Sequence, residues 1–275
     1  MSFPILFPID PGAVPTTQEV PGQLEGLTLW YRSDNVVLTN GTEILQWPDL
    51  SGNGYNLSAP TVGQRPEYFT DGTLLNARPY ISGSGATDCL ATTGFTELNG
   101  LAGMTLFVVS DRNGASIASS QVMMVLPLNM ATTPFRTNID FFYNSSVNPL
   151  SILFHAESSL NGFSSSTVSS AQATLTVPCI YAVSIDRTQA GGTGVRVYNA
   201  GALLTLGQIP ASNTFVAGNL GFNTGIIIGA QRTDGFNRNT ARNYEFILYN
   251  RVLSTIERNQ VHQYLSTRYN IPVVP

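Results

Sequence analysis

Few side chains in this 275-residue chain can do chemistry, and their spacing limits what they can do. An acyl-transfer nucleophile would need a serine in a Gly-x-Ser-x-Gly elbow with a histidine to activate it, and no such serine accompanies either histidine. His155 closes an apolar strand and reads as a structural histidine, whereas His262 stands beside Gln263 on a helix and reads as solvated. All 13 basic residues are arginine, which removes Schiff-base chemistry and a phosphate-loop lysine. Cys89 and Cys179 lack metal-site spacing; a pair of buried free thiols is the simpler reading and one disulfide the other.

Oxygen ligands are a second possibility. Asp140-Phe141-Phe142-Tyr143-Asn144, with Asn148 and His155 beyond it, sets polar residues along a strand and into a loop, a pattern that can ring Ca²⁺. The run resembles the calcium and transition-metal loop of legume lectins, and Asn138 and Asn148 fall near positions where that pattern wants carboxylates. Asp140 and Asn144 are therefore the metal candidates, and the expectation is a strand and polar turn with no metal or cofactor. The loop Asp49–Asn56 offers backbone groups, amides and one aromatic ring, so Asp49, Ser51, Asn53, Tyr55 and Asn56 are candidates for holding a sugar. The competing reading of that loop is a plain tight turn. Trp30 and Trp47 could stack on sugar rings, but both lie in alternating strands and read as core.

These residues depend on β elements and one helix. Gly26–Arg32 alternates with large aromatics; Asn40-Gly41 signals a hairpin turn before a strand over Glu43–Trp47. Met104–Ser110, Val122–Leu126, Ile139–Tyr143, Leu150–His155 and Ile180–Asp186 are apolar and β-rich, and Val195–Gly201 is a hairpin. The Ser-rich stretch 160–173 reads as a long loop. Ile226–Arg232 and Tyr244–Tyr249 are the last strands, and a helix follows over about 254–269. Ser254 and Glu257 form a capping box there, while Val261, Tyr264, Leu265 and Arg268 share one face. Asn270 suits the left-handed end position and Pro272 forbids continuation. Many short strands and one closing helix predict an all-β sandwich over residues 25–275, as a single domain.

Residues 1–24 carry Pro4, Pro8, Pro11, Pro15 and Pro21 without periodicity and read as an extended arm. Phe3, Ile5, Leu6, Phe7 and Ile9 are its partner-binding candidates. A neighbouring subunit or a surface groove would hold them, or the arm folds back on its own domain. The chain start has no positive n-region and is interrupted by prolines, unlike a secretory signal, and no apolar run approaches the ~20 residues of a membrane span. Charged residues are only 11% of the chain, the net charge is −4, and the arginines are scattered, which argues against nucleic acid. A neutral polar surface of Ser, Thr, Asn and Gly suits work outside cells or inside assemblies.

The run Leu29-Trp30 to Trp47, then Asp49, Ser51-Gly52-Asn53-Gly54, Arg65-Pro66 and Arg78-Pro79, resembles the opening of laminin-G-like domains. These belong to the concanavalin A-like lectin and glucanase superfamily. Ile228–Arg232, Glu245–Arg251, Leu253-Ser254, Glu257, Tyr264-Leu265 and Tyr269–Ile271 resemble its close. The resemblance covers about residues 27–271 and implies a jelly-roll sandwich of two antiparallel sheets. Glucanases of the superfamily place catalytic carboxylates as Glu-x-Asp-x-x-Glu on one strand. Here Glu245 stands alone on its strand and Glu257 belongs to a helix cap, so the expectation is a non-enzyme. Arg242-Asn243-Tyr244 departs from the small residue or glycine usual before the glutamate, which bears on local geometry there.

Three functional readings follow. The first is a structural virion protein of a tailed phage, made in the host cytoplasm without a signal peptide. It would be a capsid decoration, cement or head-fibre protein, binding the major capsid protein or other virion subunits as a homo-oligomer, a trimer among the options. Such proteins include laminin-G-like domains, and heptads or a β-helix repeat that would mark a fibre are absent. The alternative is a glycan-binding, lectin-like module for host attachment, as in a tail fibre or receptor-binding protein. A glycoside hydrolase or lyase, the third, lacks its carboxylates.

Overall fold

The computed structural model describes residues 19–70, 75–83, 87–111, 121–127, 137–143, 152–158, 162–168, 177–189, 194–204, 207–208, 220, 224–230, 232–234 and 240–274. A helical turn, α1 (Val20–Gln23), precedes strands β1 (Leu27–Arg32), β2 (Thr42–Glu43), β3 (Gln46–Trp47), β4 (Leu57–Ser58), β5 (Glu67–Phe69) and β6 (Tyr80–Ser82). Then come β7 (Leu90–Thr93), β8 (Gly103–Asp111), β9 (Gln121–Pro127), β10 (Thr137–Tyr143), β11 (Ile152–Ser158) and β12 (Gly162–Val168). The chain continues through β13 (Cys179–Asp186), β14 (Val195–Asn199), β15 (Ala202–Leu203), β16 (Gly207–Gln208), β17 (Gly225–Ile228) and β18 (Arg242–Tyr249), and closes with α2 (Thr255–Tyr269).

Among the described residues the strands form two sheets, and every pairing is antiparallel. One sheet runs β15-β14-β13-β8-β18-β6-β5-β2, with β1 also on β18; the other runs β16-β12-β11-β10-β9-β17-β7-β4-β3. The inner faces pack as one core containing Leu29, Tyr31, Trp47, Leu106, Val108, Val183, Phe246 and Leu248. The outer face of the first sheet is covered by α2, through Phe107, Ile180, Ile247 and Tyr249 against Val261, Leu265 and Tyr269. With both faces buried, β8 and β18 are apolar at successive positions rather than alternate ones. The fold is the expected all-β jelly-roll sandwich of two antiparallel sheets with a C-terminal helix.

Trp30 and Trp47 are core residues: Trp47 is sealed between the sheets against Tyr31 and Phe246. The helix forms as its sequence dictates. Ser254 Oγ accepts from Glu257 N, the Glu257 carboxylate accepts from Ser254 N at 2.9 Å, and Asn270 takes the left-handed conformation at φ 53°. Arg251 grips the Glu257 carboxylate at 2.6 and 3.0 Å and holds its pKa down to about 2. The β14–β15 hairpin turns at Ala200-Gly201 (φ 47° and 85°), where a Cβ on Gly201 would lie 2.1 Å from the Val274 carbonyl oxygen.

Five expectations are corrected. The Ser-rich stretch is not a loop throughout: residues 162–168 pair with β11 from Gly162↔Ser158 to Val168↔Ile152. The ladder is made by backbone groups, and small hydroxyl residues accept an extended backbone that composition assigns to a loop. Asn40-Gly41 turns the chain but does not close a hairpin, because β1 pairs β18 and β2 pairs β5. The segment Glu43–Trp47 is also not one strand; it crosses from the first sheet (β2) to the second (β3), with Ile44 buried at the crossing. Residues 20–23, read as the end of an extended arm, are a helical turn whose early proline suits it, and Pro21 is buried with its carbonyl accepting from Tyr249 Oη at 3.2 Å. His262 is 2% exposed rather than solvated, because the helix turns it inward against Phe107 and Tyr198.

Candidate functional site

The buried carboxylate is the first place to look for chemistry. A register shift between Asn243 and Glu245 turns Glu245 onto the helix side of β18. Trp30 Nε1 donates to it at 2.6 Å, Tyr264 Oη at 3.0 Å and Tyr269 Oη at 2.8 Å, with Arg268 Nε at 3.5 Å. Burial pushes its pKa up, opposed by Arg268 and by these donors. Glu245 is fully buried and its acceptor capacity is spent on the protein, so the arrangement fastens β1, β18 and α2 together and offers no path to a substrate.

The loop singled out as a ligand candidate is likewise turned on itself. Asp49 accepts from Trp30 N at 3.0 Å, Ser51 N at 2.9 Å and Tyr55 N at 3.2 Å. Ser51 Oγ donates to Thr28 O at 3.0 Å, and Asn53 Nδ2 donates to the same carbonyl at 2.9 Å. Tyr55 Oη donates to Glu97 at 2.8 Å, and its ring stands edge-on to Phe95. These groups form a buckle tying the loop to β1. Asn56 is placed differently: its Oδ1 accepts from Asp49 N at 2.8 Å, and the residue lines a surface trough.

That trough, about 430 Å³, is walled by Asn56, Ser58, Thr92, Thr93 and Thr233, with Ala59, Pro60 and Ala91 as its apolar surface. Pairing of β4 with β7 at Ser58↔Ala91 brings the first two segments together. The turn after β17 brings the third, and Gln64 holds it by donating to Thr233 O at 2.5 Å. Hydroxyls that both donate and accept, an amide and short apolar side chains face one space, and its lining contains no carboxylate. Such a lining can bind a polyhydroxylated molecule and cannot supply the paired acids of glycoside cleavage. The threonines and Ser58 were missed in the sequence because they lie on separate segments and no spacing joins them.

A second, larger concavity of about 850 Å³ runs beside α2, lined by Glu19, Val20, Arg78, Ile256, Gln263 and Tyr264 among others. The remaining sequence candidates are dispersed. Asp140 lies in β10 opposite His155 of β11 and Val125 of β9, while Asn144 and Asn148 fall outside the described residues. No group of three or more His, Cys, Asp or Glu side chains is arranged for a metal among the described residues. Cys89 is buried and Cys179 half-buried, both as free thiols, and burial raises each pKa to about 12. Phe3, Ile5, Leu6, Phe7 and Ile9 fall outside the described residues. No described helix is long and apolar enough to cross a membrane.

No protein-family model and no curated protein matches the sequence. Solved structures do match the fold. A Trypanosoma rangeli sialidase, solved with a difluoro-KDN sugar, aligns with 96% of this chain and 36% of its own at 13% identity and TM-score 0.54. A botulinum neurotoxin type C structure, described by the dependence of its cell entry on two ganglioside molecules, aligns over 88% of this chain and 52% of its own, at 12% identity and TM-score 0.54. The binding domain of Paraclostridial Mosquitocidal Protein 1 aligns over 89% and 52%, at 14% identity and TM-score 0.53. At such identities the likeness is one of fold, a concanavalin A-like sandwich, and this chain spans about half or less of each of these chains.

Proposed function

We propose that the protein is a non-enzymatic glycan-binding module that holds its sugar in the trough of Asn56, Ser58, Thr92, Thr93 and Thr233. The observation that carries the reading is that trough: hydroxyl and amide groups converge on a space of about 430 Å³, within the size range of small-ligand sites, with no acid among them. Hydroxyls can match a sugar's alternating donors and acceptors, while Ala59, Pro60 and Ala91 can meet its C–H faces. Short side chains surrender little rotamer freedom on binding. The ganglioside named for the neurotoxin and the sugar in the sialidase complex support this reading over the structural virion role. The virion reading rests on composition and on an arm whose apolar residues lie outside the described ones.

A glycan array with the purified protein, run beside a binding assay on empty capsids, tests the choice. A sugar hit that weakens in Thr92→Val and Thr233→Val, with capsid binding blank, supports the module. Each substitution removes a hydrogen-bonding group worth about 0.5–1.5 kcal/mol, or roughly 2–10-fold in affinity. Saturable capsid binding with a blank array returns the structural virion reading.

A further inference from the structure

The larger concavity has different chemistry from the trough and does not depend on the glycan reading. Helix α2 buries Val261, Leu265 and Tyr269 on the sheet. Its outer ridge carries Ile256, Gln260, Gln263 and Thr267, a spacing that keeps them on one face. Ile256 is 74% exposed on that ridge and, with Val20 and the ring of Tyr264, gives the groove an apolar lining. Val20 of α1 forms the opposite wall, so the groove of about 850 Å³ lies between the final helix and the first described residues of the chain.

We infer that the groove docks the N-terminal segment of the same chain, residues 1–18, with Phe3–Phe7 laid along α2. The attachment point supports it. Glu19 lines the groove and is held there by Arg32 and by Arg268, the latter at 3.4 Å, so residue 18 joins the fold at the groove's own wall. The length fits. From Ile256 to Thr267 the ridge spans about 16 Å at 1.5 Å per residue, and an extended run of five residues such as Phe3–Phe7 covers about the same distance. The twelve steps from Phe7 to Glu19 can reach roughly 40 Å, and Pro11-Gly12 is a turn signal that lets the chain come back.

The chemistry fits as well. Phe3, Ile5, Leu6 and Phe7 are large and apolar, and they match Val20, Ile256 and the ring of Tyr264. Pro4 and Pro8 favour an extended backbone with few N–H donors, whose carbonyls the amides of Gln260 and Gln263 can meet. A tethered segment sees the groove at millimolar effective concentration, so a modest site suffices in the same chain.

The test uses the full chain with photoreactive benzoylphenylalanine in place of Phe7, irradiated and mapped by mass spectrometry. A mixture of isotopically light and heavy chains distinguishes links within a chain from links between chains. The expected result is intrachain linkage to the peptide 256–268, reduced several-fold by Ile256→Glu. Because Ile256 is exposed, that variant should keep the wild-type circular dichroism spectrum; Gln263→Arg, on the same ridge, repeats the test if it does not. Links that miss α2, links only between chains, or yields indifferent to both substitutions would overturn the inference.

Discussion

His262 makes the stability of this fold depend on mildly acidic pH. Its imidazole is enclosed between Phe107 at 5.2 Å and Tyr198 at 6.2 Å. Burial, reinforced by the nearby Arg258 charge, lowers its pKa from 6.5 to about 4. In that window the unfolded chain holds a proton on His262 that the folded chain refuses, so folding is favoured by raising the pH. The stabilisation is complete above pH 6.5 and is lost progressively as the pH falls toward 4. At about 1.36 kcal/mol per pH unit, the full displacement is worth up to ~3 kcal/mol, a large part of a typical net stability.

The replacement His262→Phe keeps a ring between Phe107 and Tyr198 and deletes the titrating group. Urea unfolding followed by circular dichroism from pH 7 to pH 4 is the assay. The wild type should lose ~3 kcal/mol more than the variant across that range. Carboxylates that titrate at the acid end are common to both proteins and cancel in the difference. Parallel pH profiles, or an imidazole NMR titration near 6.5, would refute the reasoning.

Two other substitutions probe the helix attachment. Tyr269→Phe removes a hydrogen bond to the buried Glu245 carboxylate and should cost about 1.5–3 kcal/mol in urea unfolding; a cost near zero would mean that water reaches the site. Ser254→Ala should cost about 1 kcal/mol and Ser254→Gly only a few tenths in the same assay, and equal costs would deny Ser254 its capping role.

The extent and both ends of the closing helix were legible because their signals are local. A capping box, an i, i+4 apolar face, an asparagine able to turn left-handed and a following proline all act within a few residues of one another. The two-sheet class was legible for a similar reason, since apolar β-rich runs separated by turn residues have few other ways to bury themselves. Pairing was not. Asn40-Gly41 reads as a hairpin, yet the strands on either side find partners elsewhere, β18 and β5, and backbone hydrogen bonds between distant segments leave no trace in composition.

The site shows the same division. The sequence picked out the loop 49–56 by its polar side chains, but tertiary contacts spend most of those groups on β1 and leave Asn56 at the trough. Thr92 and Thr233 are unremarkable one by one, and only the folding of β7 and the turn after β17 onto a common surface makes them neighbours. His262 turned out buried because the sheet beneath α2 presents Phe107 and Tyr198 at that point. Local sequence therefore determined which elements form. Which face of each is buried, which polar groups are satisfied and which remain to meet a ligand were decided by contacts between segments far apart in the chain.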